Sequence, residues 1–139
     1  MSLWAIVPVK PLRRGKSRLS GILTEEERTQ LNQELLERTL KTLSELKEVD
    51  HVLVVSRDPH ALTIARGFGA KTVQEDGHAH LNTALARATV VAELHATQGV
   101  LVLPADLPLL TRDDVLALID RAAKPPVVVI APDRHGKGT

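Results

Sequence analysis

Short apolar runs alternate with longer amphipathic stretches along this chain. Val, Ile and Leu concentrate at Leu3–Val9, His51–Ser56, 70–74, 100–103 and 127–131. Within each run the apolar residues are nearly continuous rather than alternating, which is the pattern of strands covered on both faces. The intervening stretches carry helical spacing. Leu31, Leu35, Thr39, Leu43 and Leu46 recur every three or four residues behind Thr24-Glu25-Glu26-Glu27, a capping box with Thr24 at the N-cap and Glu27 reaching back. A second helix is expected from Pro59 to Arg66, closed at Gly67 or Gly69 by glycine in the left-handed conformation. A third is expected over 82–95, with Leu85, Thr89, Ala92 and Ala96 on one face. A fourth starts behind Thr111, with Asp114 three residues on, continues through Val115, Leu118 and Ile119, and stops at Lys124-Pro125-Pro126.

Strands that alternate with helices predict an α/β fold, with right-handed crossovers and a mostly parallel sheet. In such a sheet, ligands bind beyond the carboxyl ends of the strands. Polar, chemically capable residues should therefore follow the strands, and they do. Lys10 to Arg18 follow the first run, Asp106 the fourth, and Asp133-Arg134-His135 the fifth.

Composition narrows the classes. The 139 residues suffice for one domain with its own core. Eighteen Lys and Arg against seventeen Asp and Glu leave a net charge of +1, so the basic cluster near the start is local and a general nucleic-acid binder is not expected. Aromatic residues are 1% of the chain, which argues against a base-stacking platform and requires an aliphatic core. Without cysteine there is no disulfide and no thiolate metal site. No apolar run is long enough for a membrane span, and the first residues lack a basic region before an apolar stretch. A soluble, cytoplasmic protein with no nucleic-acid and no membrane partner is the expectation.

Four constellations carry candidate chemistry. In Val7–Ser20 (VPVKPLRRGKSRLS), Pro8 and Pro11 stiffen the backbone around Lys10, and Gly15 permits a tight turn. Lys16 and Arg18 add charge, and Ser17 can donate to phosphate or cap a short helix. The loop lacks the Walker spacing, so it is either a different kind of phosphate socket or a solvated basic turn. In Pro104-Ala105-Asp106-Leu107-Pro108, a carboxylate sits between prolines behind a strand, placed for Mg2+ or as a turn aspartate. Asp113 and Asp114 belong to the first turn of a helix and serve its dipole. In 76–82, Asn82 either meets a nucleobase edge or caps the helix that follows, and His78 and His80 lack a third ligand at diagnostic spacing. In 133–139, Arg134, Lys137, the Thr139 hydroxyl and the glycine amides suit an anionic substrate, or form a frayed end.

Taken in order, VPVKPL, Lys16-Ser17-Arg18-Leu19, Leu81-Asn82, PADLP at 104–108, and APDRHG followed by Gly138-Thr139 resemble the 2-phospho-L-lactate guanylyltransferases of coenzyme F420 biosynthesis. That family falls within the wider MobA-like nucleotidyltransferases. The resemblance runs the length of the chain, and PADLP is shared with relatives. It implies one nucleotidyltransferase domain over 1–139. The implied fold is a Rossmann-like three-layer sandwich with a mostly parallel, mixed sheet, of the nucleotide-diphospho-sugar transferase type. It implies that GTP is joined to a phosphorylated three-carbon acid (2-phospholactate, phosphoenolpyruvate or 3-phosphoglycerate) with release of pyrophosphate. On the same basis Lys10, Lys16, Ser17 and Arg18 would hold the GTP phosphates, Lys16 and Asp106 would act in catalysis, and Asn82 would contact guanine. Asp106 would bind Mg2+, and Arg134, Gly138 and Thr139 would bind the acceptor.

The sequence departs from the family in three places. Lys137 stands where the family usually has glycine, and His80 where glycine often precedes Leu-Asn. The family also continues past this point into an Asp-x-Asp metal motif, so a domain lacking its C-terminal part, with poor turnover alone, is the expectation. Competing readings are a cytidylyl- or molybdopterin-type relative and a silent nucleotide-binding module. The acceptor and the oligomeric state, a homodimer included, stay open.

Overall fold

The computed structural model describes residues 3–13, 19–75, 86, 89–90, 99–124 and 128–132. They group into two compact units, Met1–Pro108 and Leu109–Thr139.

The first unit is built on a sheet of four strands, β1 (Leu3–Val9), β2 (His51–Ser56), β3 (Lys71–Gln74) and β4 (Gly99–Val102), in the order β3-β2-β1-β4. Every described pairing is parallel. β1 lies in the middle, with Ile6 opposite Leu53 on one side and Val102 on the other. Leu3, Trp4, Ala5, Ile6 and Val7 are all buried in succession, so β1 is covered on both faces. That accounts for its continuous apolar sequence. Trp4, Ile6, Leu53 and Val55 form a core cluster against which Val73 packs, and the Trp4 and His51 rings tilt together at 4.8 Å between centroids.

Helix α1 (Glu25–Ser44) begins at the expected capping box. The Glu27 N–H donates to Thr24 Oγ1 at 3.1 Å, and the Thr24 N–H donates to Glu27 Oε1 at 2.9 Å. It buries Leu35, Leu36, Thr39, Leu40 and Leu43. The Thr39 hydroxyl is buried without loss because it donates to the Leu35 carbonyl at 2.9 Å. Helix α2 (Pro59–Gly67) buries Ala61, Leu62 and Ala65 and packs on β2, β3 and α1. Of the two glycines expected to close it, the structure uses Gly69, at φ +81°, while Gly67 completes the last turn. The Gly69 N–H reaches the Arg66 carbonyl at 3.0 Å, and the Ala70 N–H reaches the Ala65 carbonyl at 3.1 Å, the paired bonds of a Schellman ending. This also moves the start of β3. Ala70 was expected to open the strand, but its N–H already serves the helix end, and the strand begins at Lys71.

The strand expected over 100–103 runs instead from Gly99 to Val102, although the Leu103 N–H still donates to the Ile6 carbonyl at 3.0 Å. Of the helix expected over 82–95, only Ala86, Thr89 and Val90 are among the described residues, and all three are helical.

In the second unit, helix α3 (Arg112–Arg121) has Thr111 at its N-cap in a full capping box with Asp114, and it buries Val115. The first-turn role expected of Asp114 is thus observed. The fifth strand expected over 127–131 does not form in its described part. Residues 128–132 are irregular, and Val128 and Ile130 are 86% and 64% exposed. An apolar run becomes a strand only when neighbouring backbone takes up its N–H and C=O groups, and no described strand pairs with this one.

Candidate active site

The strand order fixes where a ligand can enter. From β1 the chain passes to β2 and β3 on one side, and then returns to β4 on the other. In parallel sheets ligands bind beyond the carboxyl ends of the strands where the strand order reverses, and here the order reverses at the β1–β4 pair. Lys10 is the residue after β1. Asp106 follows β4 within PADLP. The β1–β4 ladder extends to the Leu103–Ile6 bond, so both residues leave the sheet at the same edge. Both are exposed. The remaining residues with expected roles, Lys16, Ser17, Arg18, Asn82, Arg134, Gly138 and Thr139, lie outside the described residues, as do His78 and His80.

The loop behind β1 is anchored at Leu12. Its side chain is buried, worth about 1.5–3 kcal/mol for a leucine. Its N–H donates to Asp58 Oδ2 at 2.9 Å, and its carbonyl accepts from Asn32 Nδ2 at 2.8 Å. Asp58 is also the N-cap of α2, its Oδ1 accepting from the His60 N–H at 2.9 Å, and its own N–H donates to Ser56 Oγ at 3.1 Å. Sequence reasoning passed over Ser56, Asp58 and Asn32. The Asp-Pro pair at 58–59 was the available signal for the cap, since proline suits the first helical position. Nothing local marks Asn32, which acts across 20 residues. Glu75, just past β3, is a further acidic residue buried at this edge, its N–H donating to the Ser56 carbonyl at 2.9 Å.

Two concavities lie elsewhere. One, of about 160 Å³, is lined by Leu43, Asp50, His51, Phe68 and Gly69, at the amino end of β2 and away from the carboxyl edge. The other is an open depression of about 720 Å³ between Arg13 and the start of α1. It is lined by Glu25 and Glu26 as well as Thr24, Thr29, Gln30 and Gln33, and two carboxylates disfavour a polyphosphate there. Arg13 is exposed and borders this depression together with Glu25 and Glu26. Among the described residues no three His, Cys, Asp or Glu side chains gather to hold a metal ion. Mg2+ takes one or two carboxylates and fills its shell with phosphate oxygens and water, and Asp106 is an exposed carboxylate at the carboxyl edge. No helix among the described residues is long and apolar enough to cross a membrane.

Comparison with solved structures gives the class first. A 4-diphosphocytidyl-2C-methyl-D-erythritol synthase superposes with a TM-score of 0.63 over 90% of this chain and 56% of its own, at 18% identity. The likeness is one of fold, an α/β Rossmann-like sheet. Sequence then narrows it. The family described as guanylyl transferase CofC like matches residues 3–139, and the chain belongs to that family. It is 41% identical over 139 residues to the phosphoenolpyruvate guanylyltransferase of Rubrobacter xylanophilus, spanning 67% of that protein. To the 2-phospho-L-lactate guanylyltransferase of Methanothermobacter thermautotrophicus it is 34% identical over 139 residues, spanning 61%. In both alignments the whole of this chain is covered.

Proposed function

We propose that the protein transfers guanylyl from GTP to a phosphorylated three-carbon carboxylic acid, a step of coenzyme F420 biosynthesis in the cytoplasm, and that 1–139 forms part of a single nucleotidyltransferase domain. The observation that carries the reading is the β1–β4 pairing, which brings the cation at Lys10 and the carboxylate at Asp106 to one edge in a chain of this family.

The chemistry follows from charge. A phosphate oxygen of the acceptor bonds to the α-phosphorus of GTP as the bond from that phosphorus to the bridging oxygen breaks, and pyrophosphate leaves. The acceptor phosphate is already ionised at neutral pH, so no side chain need remove a proton. The obstacle is repulsion between two anions and the charge that builds on the leaving group. Lys10, with Lys16, Ser17 and Arg18, would bind the triphosphate and offset that charge, while positioning supplies much of the remainder. Asp106 would hold Mg2+, which neutralises phosphate charge when bound. Asn82 would meet the guanine, and Arg134, Gly138 and Thr139 the acceptor.

The test is pyrophosphate release from GTP, CTP or ATP with each of the three acids, alongside calorimetric binding of each nucleotide. GTP should bind best and be the nucleotide consumed. A preference for CTP would overturn the guanylyl assignment.

A further inference from the structure

Lys10 stands between two fixed points. On one side, Val9 ends β1 in register with Ser56. On the other, Leu12 is 2% exposed and has both backbone groups engaged, its N–H by Asp58 and its carbonyl by Asn32. Pro11 lies between them, with φ set by its ring and no N–H to satisfy. The stretch from Val9 to Leu12 is thus an arch clamped at both feet with Lys10 on it.

The clamp at Leu12 is more than a by-product of helix capping. A cap needs one side-chain oxygen, and Asp58 Oδ1 supplies it to the His60 N–H. Oδ2 serves an N–H 46 residues earlier in the chain. Ser56, itself in the sheet, accepts the Asp58 N–H and so ties this clamp to the end of β2. Asn32 completes it from a third element, since its amide sits on α1 and can donate to the Leu12 carbonyl where a leucine or alanine could not.

We propose that Asp58 and Asn32 are positioning residues that hold Leu12 so that Lys10 meets the phosphates of a triphosphate at the carboxyl edge of β1 and β4. This rests on reading that edge as a triphosphate site, and the experiment separates the two. Asp58→Asn keeps one oxygen for the α2 cap but presents an NH2 group that cannot accept from Leu12. Asp58→Ser keeps the cap with a single shorter oxygen. Asn32→Ala removes the donor to the carbonyl.

Three readouts are taken on each variant: hydrogen exchange at the Leu12 amide, thermal midpoint from Trp4 fluorescence, and calorimetric affinity for GTP and for inorganic tripolyphosphate. All three variants should bind GTP and tripolyphosphate about tenfold more weakly, by the same factor for both. Leu12 exchange should accelerate about tenfold in the two Asp58 variants, with midpoints within a few degrees of the parent. Trypsin should also cut faster after Arg13.

Parental triphosphate affinity in a variant whose Leu12 amide exchanges fast would overturn the inference. So would affinity lost only where the midpoint collapses. If the parent protein prefers CTP but its tripolyphosphate affinity still falls with Asp58→Asn, the guanylyl reading fails and the positioning role stands. If the parent binds neither GTP nor tripolyphosphate, both fall.

Discussion

Lys10 and Asp106 reach one edge of the sheet from opposite ends of the described part of the first unit, and their roles should separate under substitution. Lys10→Ala should weaken GTP binding about tenfold or more by calorimetry, the scale of a lost charge-assisted hydrogen bond. Arg13→Ala should leave binding near parental, because Arg13 borders a depression that Glu25 and Glu26 also line, where a polyphosphate is disfavoured. In the run beyond it, Lys16→Ala should weaken GTP binding far more than Arg14→Ala, and equal losses would make the run a generic basic loop. Asp106→Asn should raise the Mg2+ concentration for half-maximal pyrophosphate release at least tenfold, while nucleotide binding without metal changes little. The positions of Lys10 and Asp106 at the carboxyl edge were legible in sequence because each follows an apolar run that reads as a strand. Asp58 and Asn32 were not legible as partners of Leu12. Their contacts join residues 46 and 20 apart, and the pattern along a chain does not encode which distant backbone group a side chain will meet.

Among the elements, the starts of two helices were read most accurately, because caps are local chemistry, whereas α3 ends at Arg121, ahead of the expected stop at Lys124-Pro125-Pro126. Thr24 with Glu27 and Thr111 with Asp114 both form as the spacing foretold. The Thr24 backbone N–H, and then its hydroxyl, hold the Glu27 carboxyl below its usual value of 4.5. A lowered folded-state pKa means that the capping contribution is present above about 4.5 and is lost as pH falls through the folded value. Glu27→Gln keeps an oxygen for the Thr24 N–H and does not titrate, so the fall in thermal midpoint on acidification should be shallower in that variant.

The glycines at the end of α2 offer an opposed pair. A side chain at either meets nothing within 4 Å, so backbone conformation alone decides. Gly69→Ala, at φ +81°, should cost about 1–2 kcal/mol, whereas Gly67→Ala, on the helix, should add about 0.5–1 kcal/mol. Denaturant midpoints would show the opposite signs. Strand ends were less legible, because a strand's limits depend on its neighbours. Ala70 is lost to the helix ending before it, and residues 128–132 have no described strand beside them.

At the scale of the whole molecule, only unit 1 carries a sheet among the described residues, and its order decides both where the strand order reverses and which strands lie outermost. Among the described strands β4 is the outermost on its side, with Val100 and Val102 39% and 44% exposed on one face. An open apolar edge invites pairing with another chain, and a lysine there discourages it. Val102→Lys should therefore lower self-association measured by light scattering, with little change in thermal midpoint. The parallel class of the sheet was legible from the continuous strands and the helices between them. The switch between β1 and β4 was not, because strand order is settled by which crossover turns back, and no residue pattern announces that turn. The same order has a consequence for the chain as it leaves the ribosome. Among the described strands β1 lies inside the sheet and is made before both its neighbours, the second of which begins only at Gly99. Until β4 has emerged, β1 lacks its second described neighbour, so the edge that carries Lys10 and Asp106 forms only after Asp106 has been made.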